Sequence, residues 1–345
     1  MPSHGARRSA RPSGRRPLFH AVLASVVVVV GTAAGTVYVK AQAHGGGSTA
    51  VSSSASSVSP SASTAPGADA VVGEASVEPV AEPEVDHDEL LAAALEDVTV
   101  EDGAAVSVAV LDLTSGDTAV YGDERFDTAS IVKADILAAL LLQAQDAGRQ
   151  LTAQEKAYAG AMIRESDNVS ATALWKAIGQ AAGLDAANER LGLTGTEGGD
   201  GLYWGLTQTT AADQLVLLQQ VFGDEDASEL SPASRTYLQG LMGQIAEGQD
   251  WGVSAVADDG SAGSAFALKN GWLPRTATGL WDINSIGRVT VDGQEYLVAV
   301  VSNGNTTKAK GVALVEAAAR AAVSVFGAAA DSLEATAPAS TAATS

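Results

Sequence analysis

There is no cysteine among the 345 residues, so thiol nucleophiles, disulfide frameworks and thiolate metal sites are excluded. Histidine is nearly as scarce. The four present are His4, His20, His44 and His87, which leaves the whole stretch from Asp88 to Ser345 without an imidazole. Neither a Ser-His-Asp hydrolase nor a His-ligated zinc site can be built there, and no metal or cofactor is expected. Basic residues are few as well, 20 Lys and Arg against 41 Asp and Glu. Six of them (Arg7, Arg8, Arg11, Arg15, Arg16 and Lys40) lie before position 44 with no acid among them, so the remainder carries 14 basic against 41 acidic residues, a net of −27. A surface that acidic repels nucleic-acid phosphates and anionic lipid, so neither is expected as a partner of the folded part.

The arginine-rich start leads into an uncharged apolar run from Leu18 to Val39, long enough at about 1.5 Å per residue to span a bilayer. The arginines should stay on the cytoplasmic side. Arg15-Arg16 ahead of Pro17-Leu18-Phe19 resembles a twin-arginine export signal, and Ala41-Gln42-Ala43 offers a small-residue cleavage site. Residues 1–43 therefore read as a signal peptide or a signal anchor, and the rest of the chain is expected outside the cytoplasm, touching the membrane only through this segment. Residues 44–85 are a Ser/Ala/Pro-rich linker with almost nothing to bury, and residues 328–345 read as a similar disordered tail. Between them, 86–327 is one domain large enough for a proper core, expected to be a monomer.

Within that domain Asp86 to Val98 has helical apolar spacing, while Ala104–Leu113 and Thr118–Gly122 alternate like strands across a turn at Thr114-Ser115-Gly116-Asp117. From Ser130 to about Ala246 the patterns are helical. Strand patterns return in 265–272, 280–293 and 295–304, and 309–327 closes the domain as an amphipathic helix. Strands at both ends with helices between them imply a mixed α/β fold of the α+β kind. One antiparallel sheet is built from the N- and C-terminal parts and flanked by helices, with an all-helical lobe inserted.

With imidazole and thiol gone, nucleophilic catalysis needs a serine or threonine activated by lysine, or carboxylates. Ser130 and Lys133 meet the first requirement, one turn apart at the start of a long apolar helix. The same pair also fits a serine N-cap followed by a solvated lysine. Two further elements follow in order, Ser166-Asp167-Asn168 and Lys269-Asn270-Gly271. Their order resembles the series S-x-x-K, S-D-N, K-T-G of class A β-lactamases and penicillin-binding proteins, the penicillin-recognising serine hydrolases, over residues 88 to 327.

The resemblance implies that Ser130 is acylated by a β-lactam or a D-alanyl-D-alanine-like peptide and that Lys133 takes its proton. It also implies that Ser166 relays the proton to the leaving nitrogen, Asn168 holds the substrate amide, and Lys269 attracts its carboxylate. Lys133 takes the proton only when neutral, which requires desolvation and a nearby cation to lower its pKa, and Lys269 on the facing strand is that cation. The backbone N–H groups of Ser130 and Trp272 are implied as the oxyanion hole. Two features depart from the pattern. The third element reads Lys269-Asn270-Gly271 without a hydroxyl, and Arg275 is either a compensating charge or an exposed loop arginine. Glu197, in the glycine-rich segment Gly195 to Gly205, is either the general base for hydrolysis or a solvated loop acid. The expected function is thus an extracytoplasmic serine hydrolase of β-lactamase type acting on a small-molecule β-lactam or a peptidoglycan stem peptide. The alternative is a non-catalytic or slow-turnover penicillin or cell-wall binding module on the same fold.

Overall fold

A computed structural model describes residues 85–336 apart from residue 262, with side chains as far as 327. The signal or anchor segment lies outside the described residues, as does the linker up to residue 84. The chain opens with α1 (His87–Glu96), capped by the Asp86 carboxylate, which accepts from the N–H groups of Asp88 and Glu89. The hairpin β1 (Ala105–Asp112) and β2 (Thr118–Tyr121) follows. Its turn is held by Asp112 Oδ1 accepting from Thr114 N at 2.7 Å.

A two-residue strand β3 (Phe126–Asp127) leads through a 3-10 turn (Ala129–Ile131) into the helical lobe: α2 (Val132–Asp146), α3 (Ala153–Arg164), α4 (Asn168–Ile178) and α5 (Gln180–Leu191). After β4 (Gln208–Thr209), which pairs with β3, come α6 (Ala211–Phe222) and α7 (Pro232–Met242). The sheet is then completed by β5 (Phe266–Pro274), β6 (Trp281–Val291) and β7 (Gln294–Asn305), and α8 (Lys308–Thr336) packs back over it. All pairings are antiparallel in the order β2-β1-β7-β6-β5, as expected for a sheet assembled from both ends of the domain.

The alternation of β1 explains its nearly continuous apolar sequence. Val108 and Val110 point into a core shared with α1 and α8, whereas Ala109 and Leu111 point into the core of the helical lobe, so both faces are covered. α2 lies at the centre of the second core. Twelve of its fifteen residues are buried, which is why its sequence is apolar almost all round rather than along one stripe.

Two boundaries differ from the sequence reading. The segment 168–183, inside the stretch read as helical, breaks at Gly179, whose φ of +99° ends α4 in the left-handed region before α5 begins. α8 runs past Gly327 to Thr336, into the segment expected to be a disordered tail, in keeping with the high helix propensity of its alanine-rich sequence.

Candidate active site

Ser130 sits in the 3-10 turn ahead of α2, not at a helix cap. Ile131 occupies the cap position and no side chain caps it, which rules out the structural role open to Ser130. The backbone on either side of the cleft is strained: Ala129 has φ +48° and Ser166 has φ +55°. A left-handed conformation in a non-glycine residue costs on the order of 1–3 kcal/mol and persists where the surroundings over-determine it, a pattern that concentrates at active sites.

Lys133, in the first turn of α2, is fully buried. Its Nζ lies 3.0 Å from Ser130 Oγ, 2.7 Å from the Ser166 carbonyl, 3.0 Å from Ser166 Oγ and 2.8 Å from Asn168 Oδ1. Lys269 reaches in from the edge strand β5, only 1% exposed, with Nζ 3.0 Å from the same Ser166 Oγ and 2.8 Å from the Asn270 carbonyl. Ser166 Oγ is therefore shared by two amines. The Ser166 carbonyl and Asn168 Oδ1 can only accept, so they occupy both N–H bonds of a neutral Lys133 and leave its lone pair for a hydroxyl proton.

Burial pushes Lys133 down from 10.5 to about 7, against the opposing pull of the Asp167 carboxylate. It pushes Lys269 well below its usual range too, helped by the charge on Lys133. Desolvation is the leading cause at both amines, and the repulsion between them adds to it.

Asp167 is structural: its carboxylate caps α4, accepting from Ser170 N at 2.7 Å. Gly271 is required by close approach, since a Cβ there would lie 2.8 Å from the peptide nitrogens of both Ser130 and Ile131. Trp272, the next residue, is half-buried, its ring 4.1 Å from Lys308 Nζ and 6.0 Å from the ring of Trp251. Three expected residues are engaged elsewhere. Asn270, 1% exposed, donates from Nδ2 to the carbonyls of Gln249 and Trp251, because side chains of a strand alternate and its neighbours Lys269 and Gly271 take the side facing Ser130. Arg275 is paired with Asp127 and Asp282, so its charge is already matched. Glu197 is turned to solvent with a side chain 72% exposed, pairing with Arg125 at 3.3 Å.

The loop that carries Glu197 is not loose, contrary to what its glycines suggest. Asp213 accepts from Gly195 N and Thr196 Oγ1, Asp185 from Gly198 N, and Thr207 Oγ1 from Gly199 N. Its firmness brings in a residue the sequence reading missed. Trp204 lies with its ring centroid 4.9 Å from Lys133 Nζ. The only sequence signal was an aromatic pair, Tyr203-Trp204, inside a glycine-rich segment.

A sequence model of the Beta-lactamase enzyme family matches residues 90–157 and 142–326, most of the described domain. The chain belongs to this family. No curated protein matches it. Among solved structures it is similar to the TLA-1 extended spectrum beta-lactamase, with 16% identity over 70% of this chain and 99% of that one and a TM-score of 0.60. It is also similar to PBP-A, with 21% identity over 72% and 99% of the two chains and a TM-score of 0.59. A beta lactamase from Xanthomonas campestris shares 23% identity over 70% and 97%, with a TM-score of 0.55. The fold is thus that of the beta-lactamases, and the chain is a serine hydrolase of beta-lactamase type.

Two consequences of this geometry are measurable. Glu197→Gln should leave both the labelling of the protein by benzylpenicillin and the release of the label unchanged, and alter stability by no more than about 0.5 kcal/mol. A loss of release in that variant, read by intact-protein mass spectrometry, would restore Glu197 to the site. The second concerns Asp135, two residues beyond Lys133. It is fully buried with Oδ2 unpartnered, and its pKa is raised from 3.8 to about 7 by burial, against a hydrogen bond from Gln214. The folded state then holds a proton that the unfolded state releases between pH 4 and 7, so this group weakens the fold as pH rises through that window. Asp135→Asn should gain on wild type over the same range, by up to about 4 kcal/mol at pH 8. Chemical denaturation of both proteins at pH 5 and pH 8 measures the difference, and an equal gap at the two values would mean that Asp135 does not titrate there.

Proposed function

We propose that Ser130 forms an acyl-enzyme with a β-lactam or a D-alanyl-D-alanine-like peptide, outside the cytoplasm. Lys133 acts as the base, and the hydrolysis that follows is slow. The observation that carries the reading is the pair of acceptor-only partners 2.7 and 2.8 Å from Lys133 Nζ, which in the neutral amine leave the lone pair to a hydroxyl. Ser130 Oγ bonds to the carbonyl carbon as its proton passes to Lys133. The carbon–nitrogen bond then breaks, and Ser166 hands the leaving nitrogen a proton drawn from Lys133, returning the amine to its starting state. Ser166 Oγ, 3.0 Å from both amines, has the reach for this relay. The peptide N–H groups of Ser130 and Trp272, drawn together where Gly271 meets the 3-10 turn, hold the oxyanion. Asn168 orients the substrate amide, and Lys269 is the cation for its carboxylate, since Asn270 and Arg275 are committed elsewhere.

The slow-hydrolysis half of the reading rests on Glu197, whose carboxylate is directed to Arg125. A structure similar at 21% identity, with a TM-score of 0.58, is described as a PBP-A variant in an acyl-enzyme complex with penicillin-G. For this chain the test is intact-protein mass spectrometry after exposure to benzylpenicillin. A stable gain of one penicillin mass is expected. An unlabelled protein that also leaves the drug intact would refute acylation, and rapid multiple turnover would refute slow release. Fractionation of cells expressing the full chain should find it in the membrane or the medium.

A further inference from the structure

We propose that Trp204 seals the side of Lys133 that faces the glycine-rich loop against water, and that this one side chain both keeps the base dry for acylation and denies a hydrolytic water to the acyl-enzyme. The inference deepens the proposed acylation of Ser130 and rests on it. Its basis is a set of contacts that fix the ring in place. Trp204 begins a 3-10 turn, Trp204–Leu206, and its Nε1 donates to Thr172 Oγ1 at 3.2 Å. Thr172 stands one helical turn beyond Asn168 on α4, so one face of that helix supplies both the acceptor for Lys133 and the anchor for the ring above it. The loop is tied from the other side by Trp175 Nε1, which donates to the Gly201 carbonyl at 2.7 Å. Gly205 brings the same turn against the Ser130 turn, since a Cβ on it would lie 3.8 Å from the Ala129 carbonyl.

Hydrolysis requires a water oxygen to bond to the acyl carbon as the bond from that carbon to Ser130 Oγ breaks. One water proton returns through Lys133 to Ser130 Oγ, and the other leaves with the carboxylic acid. That water must stand within hydrogen-bond reach of Lys133 Nζ. The amine's other neighbours are Ser130, Ser166 and Asn168, and the loop side is covered by an indole. The ring acts on the proton affinity of Lys133 in two directions. Its π-face attracts an ammonium, and its bulk removes water. Burial is the leading cause of the lowered pKa, so taking the ring away raises it. The titratable groups acting on Lys133 are Asp167 at the start of α4 and Lys269 on β5, while Asp135, two residues along α2, is turned to Gln214 and Asp213. Glu197, on the loop that carries the ring, is turned to Arg125.

The test compares the full chain with Trp204→Ala and Trp204→Phe, following benzylpenicillin labelling by time-resolved mass spectrometry from pH 5 to 9. Trp204→Ala should move the midpoint of the acylation profile up by about one pH unit and shorten the life of the acyl-enzyme by about tenfold, while Trp204→Phe should keep both close to wild type. An unshifted midpoint together with an unchanged lifetime in Trp204→Ala would overturn the seal. Should the alanine variant fold poorly, Trp204→Leu keeps apolar bulk and is expected to behave like Trp204→Phe, and a midpoint in that variant raised by a full unit would also overturn it. Failure of the underlying reading is distinguishable. If wild type takes no label, the seal is still read by NMR titration of the 13C-labelled Lys133 ε-carbon, whose midpoint should rise in Trp204→Ala and overturns the proposal if it does not.

Discussion

Ser130→Ala should fold as wild type does and take no benzylpenicillin label at all. Ser130 Oγ donates to no cap and supports no turn, so its removal leaves the 3-10 turn and α2 intact, and the small void opens into the cleft rather than the core. The chemistry leaves no substitute. No other hydroxyl in the described domain is bonded to a buried amine one helical turn away: Lys310, three residues after Thr307, is exposed and paired with Glu101, and Ser166, the other hydroxyl beside Lys133, is flanked by two amines on a strained backbone. Intact-protein mass spectrometry on the variant at saturating drug reads the outcome directly. A surviving mass increment would locate the nucleophile elsewhere.

Lys133→Met carries the second large effect. Methionine matches the stem in length and apolarity, so it occupies the buried site, while the lone pair that takes the serine proton is lost. General-base catalysis contributes on the order of 10²–10⁴-fold, and acylation should slow by that factor. The pH dependence gives an independent reading. With a pKa lowered to about 7, wild-type Lys133 is mostly protonated at pH 6 and mostly neutral at pH 8, so acylation should rise through neutrality and level off above it. The variant should show no such rise. A rate in Lys133→Met within twofold of wild type, with the rise intact, would assign the base to another group, and Lys269 would be the first to examine.

Much of the fold was legible because it is written in short-range patterns. β1 alternates across two cores, and α2 is apolar almost all round. The places where the reading slipped are those where a local pattern has two continuations. Nothing in Lys176-Ala177-Ile178-Gly179-Gln180 distinguishes a helix that tolerates a glycine from one that ends on it. The structure ends it, with Gly183 set so close to the Ile178 carbonyl that a Cβ there would lie 1.7 Å from the oxygen. The glycines of the loop at 195–205 read as freedom, yet Asp213 and Asp185, whose roles are invisible in the linear order, hold that backbone in place.

The sequence by itself brought the proposed reacting pair together. Ser130 and Lys133 are three residues apart, so the geometry that brings Oγ to Nζ is local to one turn, and the absence of cysteine and of any histidine beyond His87 left only lysine or carboxylates to serve as base. Only the tertiary structure decided what surrounds that pair. Lys269 comes from 103 residues beyond Ser166 to share its hydroxyl. The pleat of β5 turns Asn270 away from Lys269 and Gly271, two aspartates occupy Arg275, and Glu197 faces solvent while Trp204 of the same loop covers Lys133. Each of these outcomes depends on which buried partner a side chain finds across the fold, and on how much water its neighbours leave it. Packing between distant segments sets both.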